Sequence, residues 1–129
     1  MPANLEIVRA AFDAYLRGDE EEMFALASPE IFVRQFPDQP DVRDFHGRDG
    51  LRAMMTSWLS MWEDWTIEAL SWRAAGEHVF VTVVQRGRGG NSGAPMESEA
   101  TFLFTVRDGL VTSWEIFHTE EEAERAADG

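Results

Sequence analysis

Three features of this sequence predict an α+β fold with helices ahead of a mainly antiparallel sheet. Apolar residues recur at three- and four-residue spacing in the first half, which is a helical stripe. From Trp65 onward they alternate with a period of two, as a pleated strand demands. The last long apolar run, Glu99 to His118, is interrupted only by Arg107-Asp108-Gly109, and Asp-Gly between alternating runs marks a hairpin. Helices segregated before strands are the α+β pattern. With 129 residues, 44% of them hydrophobic and 12% aromatic, the chain suits one domain, residues 1–129, with a sizeable core.

The elements follow in order. Asn4 is expected to cap a first helix whose stripe is Leu5, Val8, Phe12 and Leu16, with Tyr15 beside it. Gly18 stops that helix, and Asp19 with Glu22 forms the capping box of a second one running to about Ala27. Ser28-Pro29 closes it, because the residue before proline avoids the α region. Ile31 to Phe36 reads as a short strand, and Pro37 to Phe45 as a loop rich in Pro and Asp. A third helix begins near Gly47-Arg48-Asp49 and carries Leu51, Met55, Trp58 and Trp62 on one face, widened by Met54, Leu59 and Met61. Two strands, Trp65–Arg73 and His78–Arg86, flank a turn at Ala75-Gly76-Glu77, and a loop at Gly87–Pro95 leads to the final hairpin. Thr119 to Glu122 is a second capping box and opens a C-terminal helix to about Ala126.

Composition narrows the function classes. A formal net charge of −13 repels nucleic acid and anionic membrane surfaces. There is no cysteine, which removes thiol nucleophiles, disulfides and Cys-ligated zinc. All 11 basic residues are arginine, so no lysine amine exists for Schiff-base chemistry. Neither a membrane-length apolar run nor the basic start and apolar block of a signal peptide is present, and a cytoplasmic location is expected. No glycine fingerprint follows a strand, and the three histidines are widely spaced, so no cofactor and no metal is expected.

Four segments in order carry a family resemblance: Ala11–Val33, Phe45–Met54, Thr101–Val111 and Ser113–Ala126. Together the chain resembles the nuclear transport factor 2-like superfamily, and within it the SnoaL-like, polyketide cyclase-like branch. The resemblance implies a cone-shaped, cystatin-like roll, a curved sheet wrapped around three N-terminal helices with a short C-terminal helix. It also implies an apolar pocket and a homodimer packed through the outer face of the sheet. Related enzymes include ketosteroid isomerase, SnoaL-type cyclases, scytalone dehydratase and limonene epoxide hydrolase, which commonly use pocket acids without a cofactor. Where the isomerase has an aspartate base at the end of its first strand, this chain has Gln35, and an amide cannot serve as that base.

On this resemblance Glu115 is the expected catalytic acid, facing the pocket with Ser113 and Phe117. Trp114, Ile116 and His118 then fall on the outer face, where the tryptophan and isoleucine would form the dimer contact. A carboxyl buried among apolar groups has a raised pKa suited to proton transfer. Tyr15 is a candidate hydrogen-bond donor to a ligand carbonyl, and Arg34 or Gln35 to a ligand oxygen. Met54, Met55, Trp58, Trp62, Phe102, Phe104 and Phe117 are expected to line a cavity for a flat apolar or aromatic ligand. Three functions stay open at this point: a cofactor-free enzyme working through Glu115, a non-catalytic binding protein, and a dimeric association module.

Overall fold

The computed structural model describes residues 3–35, 43–90 and 93–128. Four helices and six strands follow one another as α1 (Asn4–Leu16), α2 (Glu20–Ala25), β1 (Ala27–Gln35), β2 (Arg43–His46), α3 (Gly47–Leu59), β3 (Trp62–Ala75), β4 (His78–Gly89), β5 (Pro95–Arg107), β6 (Leu110–Phe117) and α4 (Glu120–Asp128). The six strands make one curved sheet in the order β2-β1-β6-β5-β4-β3. Only β1 and β6 run parallel; every other neighbouring pair is antiparallel. This is the predicted α+β roll with one addition. The expected loop before the third helix contributes β2, paired with β1 from Phe32↔His46 to Gln35↔Arg43. Residues 37–42 of that loop, Phe36 of the expected first strand, and Asn91 and Ser92 of the Gly87–Pro95 loop lie outside the described residues.

The local signals act much as their chemistry demands. Asp19 Oδ1 accepts from the Glu22 N–H, and Thr119 Oγ1 from that of Glu122, so both side-chain N-caps form, while the Glu22 carboxylate turns to Arg17 instead of closing the box. At the β5–β6 turn, Asp108 and Gly109 have φ of 53° and 78°, the left-handed pair that a tight hairpin turn needs. Asn4 does not cap α1: Ala3 holds that position, and the Asn4 amide instead donates to the Gly76 carbonyl 3.1 Å away. Ser28-Pro29 lies within β1, because α2 already ends at Ala25. Trp62 opens β3 rather than ending the third helix, since α3 stops at Leu59. No helix among the described residues is long and apolar enough to cross a membrane.

Helices pack on both faces of the sheet, fully on one and partly on the other. Facing α1, α2 and α3 are Val79, Val81, Val83, Ala100, Phe102, Val106, Val111 and Ile116, packed against Ile7, Val8, Met23, Phe24, Leu51 and Met54. On the opposite, outer face Phe80, Leu103 and Phe117 form a second cluster with Ala123 of α4. Arg73 on β3 ties α4 down further through Glu120 and Glu124.

That arrangement corrects the expected facing of the last strand. Phe102 pairs with Ile116 and Phe104 with Trp114, and directly paired residues share a face. Trp114 and Ile116 therefore point toward the helices, while Ser113, Glu115 and Phe117 point outward. The apolar pair expected at a dimer contact is interior, and part of the outer face is occupied by α4. With both side chains inside, neither Trp114 nor Ile116 is available to meet a second copy.

Candidate functional site

Between the three N-terminal helices and the inner sheet face lies a cavity of about 120 Å³. Helix α1 presents Val8, Ala11, Phe12 and Tyr15 to it, residues spaced three and four apart. The predicted stripe is thus rotated by about one position, so that Tyr15 faces in and Leu16 stands 53% exposed. Helix α3 adds Leu51, Met54, Met55 and Trp58, and α2 with its flank adds Met23 and Leu26. The sheet supplies Trp65, Ile67, Gln85, Phe102, Phe104, Val111, Trp114 and Ile116. Aromatic contacts brace one wall: Phe102 meets Trp114 edge-on at 5.1 Å, and Phe104 stacks on Trp114 at 5.9 Å.

Among the sequence-predicted residues, Tyr15, Met54, Met55, Trp58, Phe102 and Phe104 line this cavity. The others do not. Glu115 sits half-buried on the outer face, opposite Leu103 on β5 and Arg34 on β1. Burial raises its carboxyl above the usual carboxylate range, with the charges of Arg34 and His78 pulling the other way. Arg34 is also outward, held by Asp44 in a two-pronged ion pair of 2.8 and 3.0 Å. Ser113 is on that face too, and Phe117 is part of the α4 contact. Gln35 shares the inner face with its neighbour Ile116, but it lies at the strand end outside the lining. Trp62 packs behind Trp58 with ring centroids 5.4 Å apart, and its indole N–H has no partner among the described residues.

The residue that sequence reading missed is Gln85. It is buried, 8% exposed, in the middle of an apolar strand. Its Oε1 accepts from two indoles, Trp58 Nε1 and Trp65 Nε1, each at 3.0 Å. A glutamine at an inward position of Val79 to Val84's alternating run was the available signal, since a buried amide demands partners. Tyr15 meets the same Trp65 edge-on at 5.9 Å. Burial pushes the Tyr15 phenol up to about 12, so its hydroxyl keeps its proton. The hydroxyl makes no hydrogen bond to any described residue.

Electrostatically the described lining is neutral. It contains no Asp, Glu, His or Arg. Such a wall can shelter an apolar body and donate a few hydrogen bonds, but it offers no group that titrates near neutrality. Nor do the described residues contain a cluster of three or more His, Asp or Glu placed to hold a metal ion.

A family model described as a SnoaL-like domain matches residues 8–114. Among solved structures, an NTF2-like protein from Burkholderia thailandensis superposes with a TM-score of 0.82 at 20% identity, covering 98% of each chain. A protein from Jannaschia, provisionally designated a SnoaL-like polyketide cyclase, gives 0.78 at 19% identity over 96% of this chain and 90% of its own. TerC, co-crystallised with polyporic acid, gives 0.76 at 14% identity over 98% of each chain. Among curated proteins, none matches the chain in sequence.

Proposed function

The chain belongs to the SnoaL-like domain family, and from that premise we propose that it binds a small, neutral, apolar or aromatic molecule in the cavity under α1 and α3. The observation that carries this reading is the cavity itself: about 120 Å³, walled almost wholly by apolar side chains, with no ionised group among the described residues lining it. At about 10–15 Å³ per water-sized occupant, that is room for roughly ten non-hydrogen atoms. A ring with one or two substituents fits that size. A charged ligand would lose its hydration there and gain no counter-ion, which is expensive. The protonated Tyr15 hydroxyl supplies a donor for a ligand oxygen. TerC, a protein of the same fold, has been co-crystallised with a small molecule, polyporic acid.

Binding is favoured over acid–base catalysis for a physical reason. General acid–base work at neutral pH needs a group of matched pKa within hydrogen-bond reach of the substrate. Glu115, the candidate for that role, is on the far side of the sheet, and Tyr15 holds its proton too tightly.

The test is titration with ethylbenzene and with benzoate, followed by the NMR signals of the indole N–H groups. Ethylbenzene should shift the Trp58 and Trp65 signals saturably, and benzoate should not. Ala11→Leu, which fills part of the cavity from α1, should weaken ethylbenzene binding by roughly tenfold or more, since lost space in a tight core costs over 1 kcal/mol. Absence of saturable shifts, or equal binding by the filled variant, would overturn the reading.

A further inference from the structure

We propose that Gln85 sets the chemical class of the ligand, selecting molecules that present an acceptor oxygen such as a ketone carbonyl; this rests on the cavity's being a binding site. Two tryptophans fix how the amide lies. An indole N–H can only donate. Both Trp58 Nε1 and Trp65 Nε1 lie 3.0 Å from the same end of the Gln85 amide. That end must therefore be the oxygen, and with two donors on it the amide cannot flip without setting N–H against N–H. The nitrogen is fixed on the other side. Gln85 Nε2 has no hydrogen bond to any described residue, yet it is not among the sealed-off orphan atoms. Gln85 lines the cavity, and that is the place where its free N–H can find an acceptor.

The result is a pre-set donor in an apolar chamber. It is held in place before any ligand arrives, so little side-chain entropy is lost on binding. A buried donor left unmatched is costly, whereas an acceptor oxygen satisfies it. A hydrocarbon of the same shape leaves the N–H unmatched once it displaces water. The Tyr15 hydroxyl, which stays protonated, lies beside the same Trp65 and adds a second donor on that wall. No carboxylate or carboxamide oxygen other than the doubly occupied Gln85 Oε1 lines the described cavity, so ligands that mainly donate find little to bond.

The experiment compares acetophenone with ethylbenzene, which share a ring and a two-carbon arm and differ at the carbonyl. The quantity read is the ratio of their affinities in the wild type and in three variants, which cancels the ligands' own hydration. Gln85→Met removes the donor. Gln85→Glu keeps an acceptor for both indoles but, when ionised, has no N–H. Trp58→Phe with Trp65→Phe keeps the amide and frees it to turn. In the first two the ratio should fall by about threefold to tenfold, the weight of one net hydrogen bond, and in the third by less. The carbonyl stretch of bound acetophenone should move toward its unbonded frequency in Gln85→Met. Unchanged ratios in both Gln85 variants, with ethylbenzene still bound, would overturn the role of Gln85 and leave the pocket reading standing. Failure of both acetophenone and ethylbenzene to bind the wild type would sink both.

Discussion

Tyr15 is the only tyrosine in the chain, so its titration can be read without interference. Its ring packs against Trp65 and faces the cavity, and burial there disfavours the phenolate. In the folded protein the phenol titrates at about 12, against about 10 in an unfolded chain. Between those values the native state keeps a proton that the unfolded state has lost. The stabilisation is therefore complete below about pH 10 and is lost as pH rises through the folded value. Phenolate absorbance should stay small up to a pH of about 11 while the fold persists, and appear near 10 in denaturant. A folded-state midpoint near 10 would mean that the ring is not in this environment. Tyr15→Phe should abolish the signal and flatten the alkaline limb of the stability curve.

The outer helix illustrates why one part of the site was legible in the sequence and another was not. Element order, both side-chain N-caps and the hairpin turn follow from local chemistry, and local chemistry is written in neighbouring residues. The facing of β6 is not local. Alternation tells which residues share a face, but it labels the inner face only when the other one is wet. Here Leu103 and Phe117 are as buried as Phe102 and Ile116, because α4 covers that part of the outer face. With buried apolar residues on both faces, Glu115 could be assigned to either side, and only the sheet's partners decide. Gln85 was hidden for a related reason: its two indole partners come from α3 and β3, 27 and 20 residues away. The α4 contact can be weighed directly. Phe117 is 5% exposed, and Phe117→Ala should cost about 3 kcal/mol or more by urea denaturation, as other buried Phe→Ala changes do. The indole signals of Trp58 and Trp65, on the opposite side of the sheet, should barely move. A loss below about 1 kcal/mol would show that the α4 contact contributes little.

At the scale of the whole molecule the largest influence outside the core is charge. The chain carries 24 acidic residues against 11 arginines. The ion pairs among the described residues lie on the surface; Arg73–Glu124, Arg107–Glu77 and Arg125–Glu121 each leave both side chains 44% exposed or more. Exposed pairs of this kind contribute roughly 0–1 kcal/mol each. The excess of 13 negative charges acts over longer range and opposes compaction, since folding brings the carboxylates closer together. Salt weakens both effects, and the two have opposite signs. Screening the ion pairs destabilises the fold, whereas screening the net repulsion stabilises it. The charge imbalance decides between them, because more than half of the carboxylates have no cation to match. The melting temperature should therefore rise as sodium chloride goes from roughly 0.01 M to roughly 0.15 M, where the screening length shrinks from about 30 Å to about 8 Å. Most of the rise belongs in that interval, since repulsion across the molecule is screened before contacts at about 3 Å are. A melting temperature that falls over the same interval would show that the arginine pairs outweigh the net charge, and that the acidic surface is better matched than its composition implies.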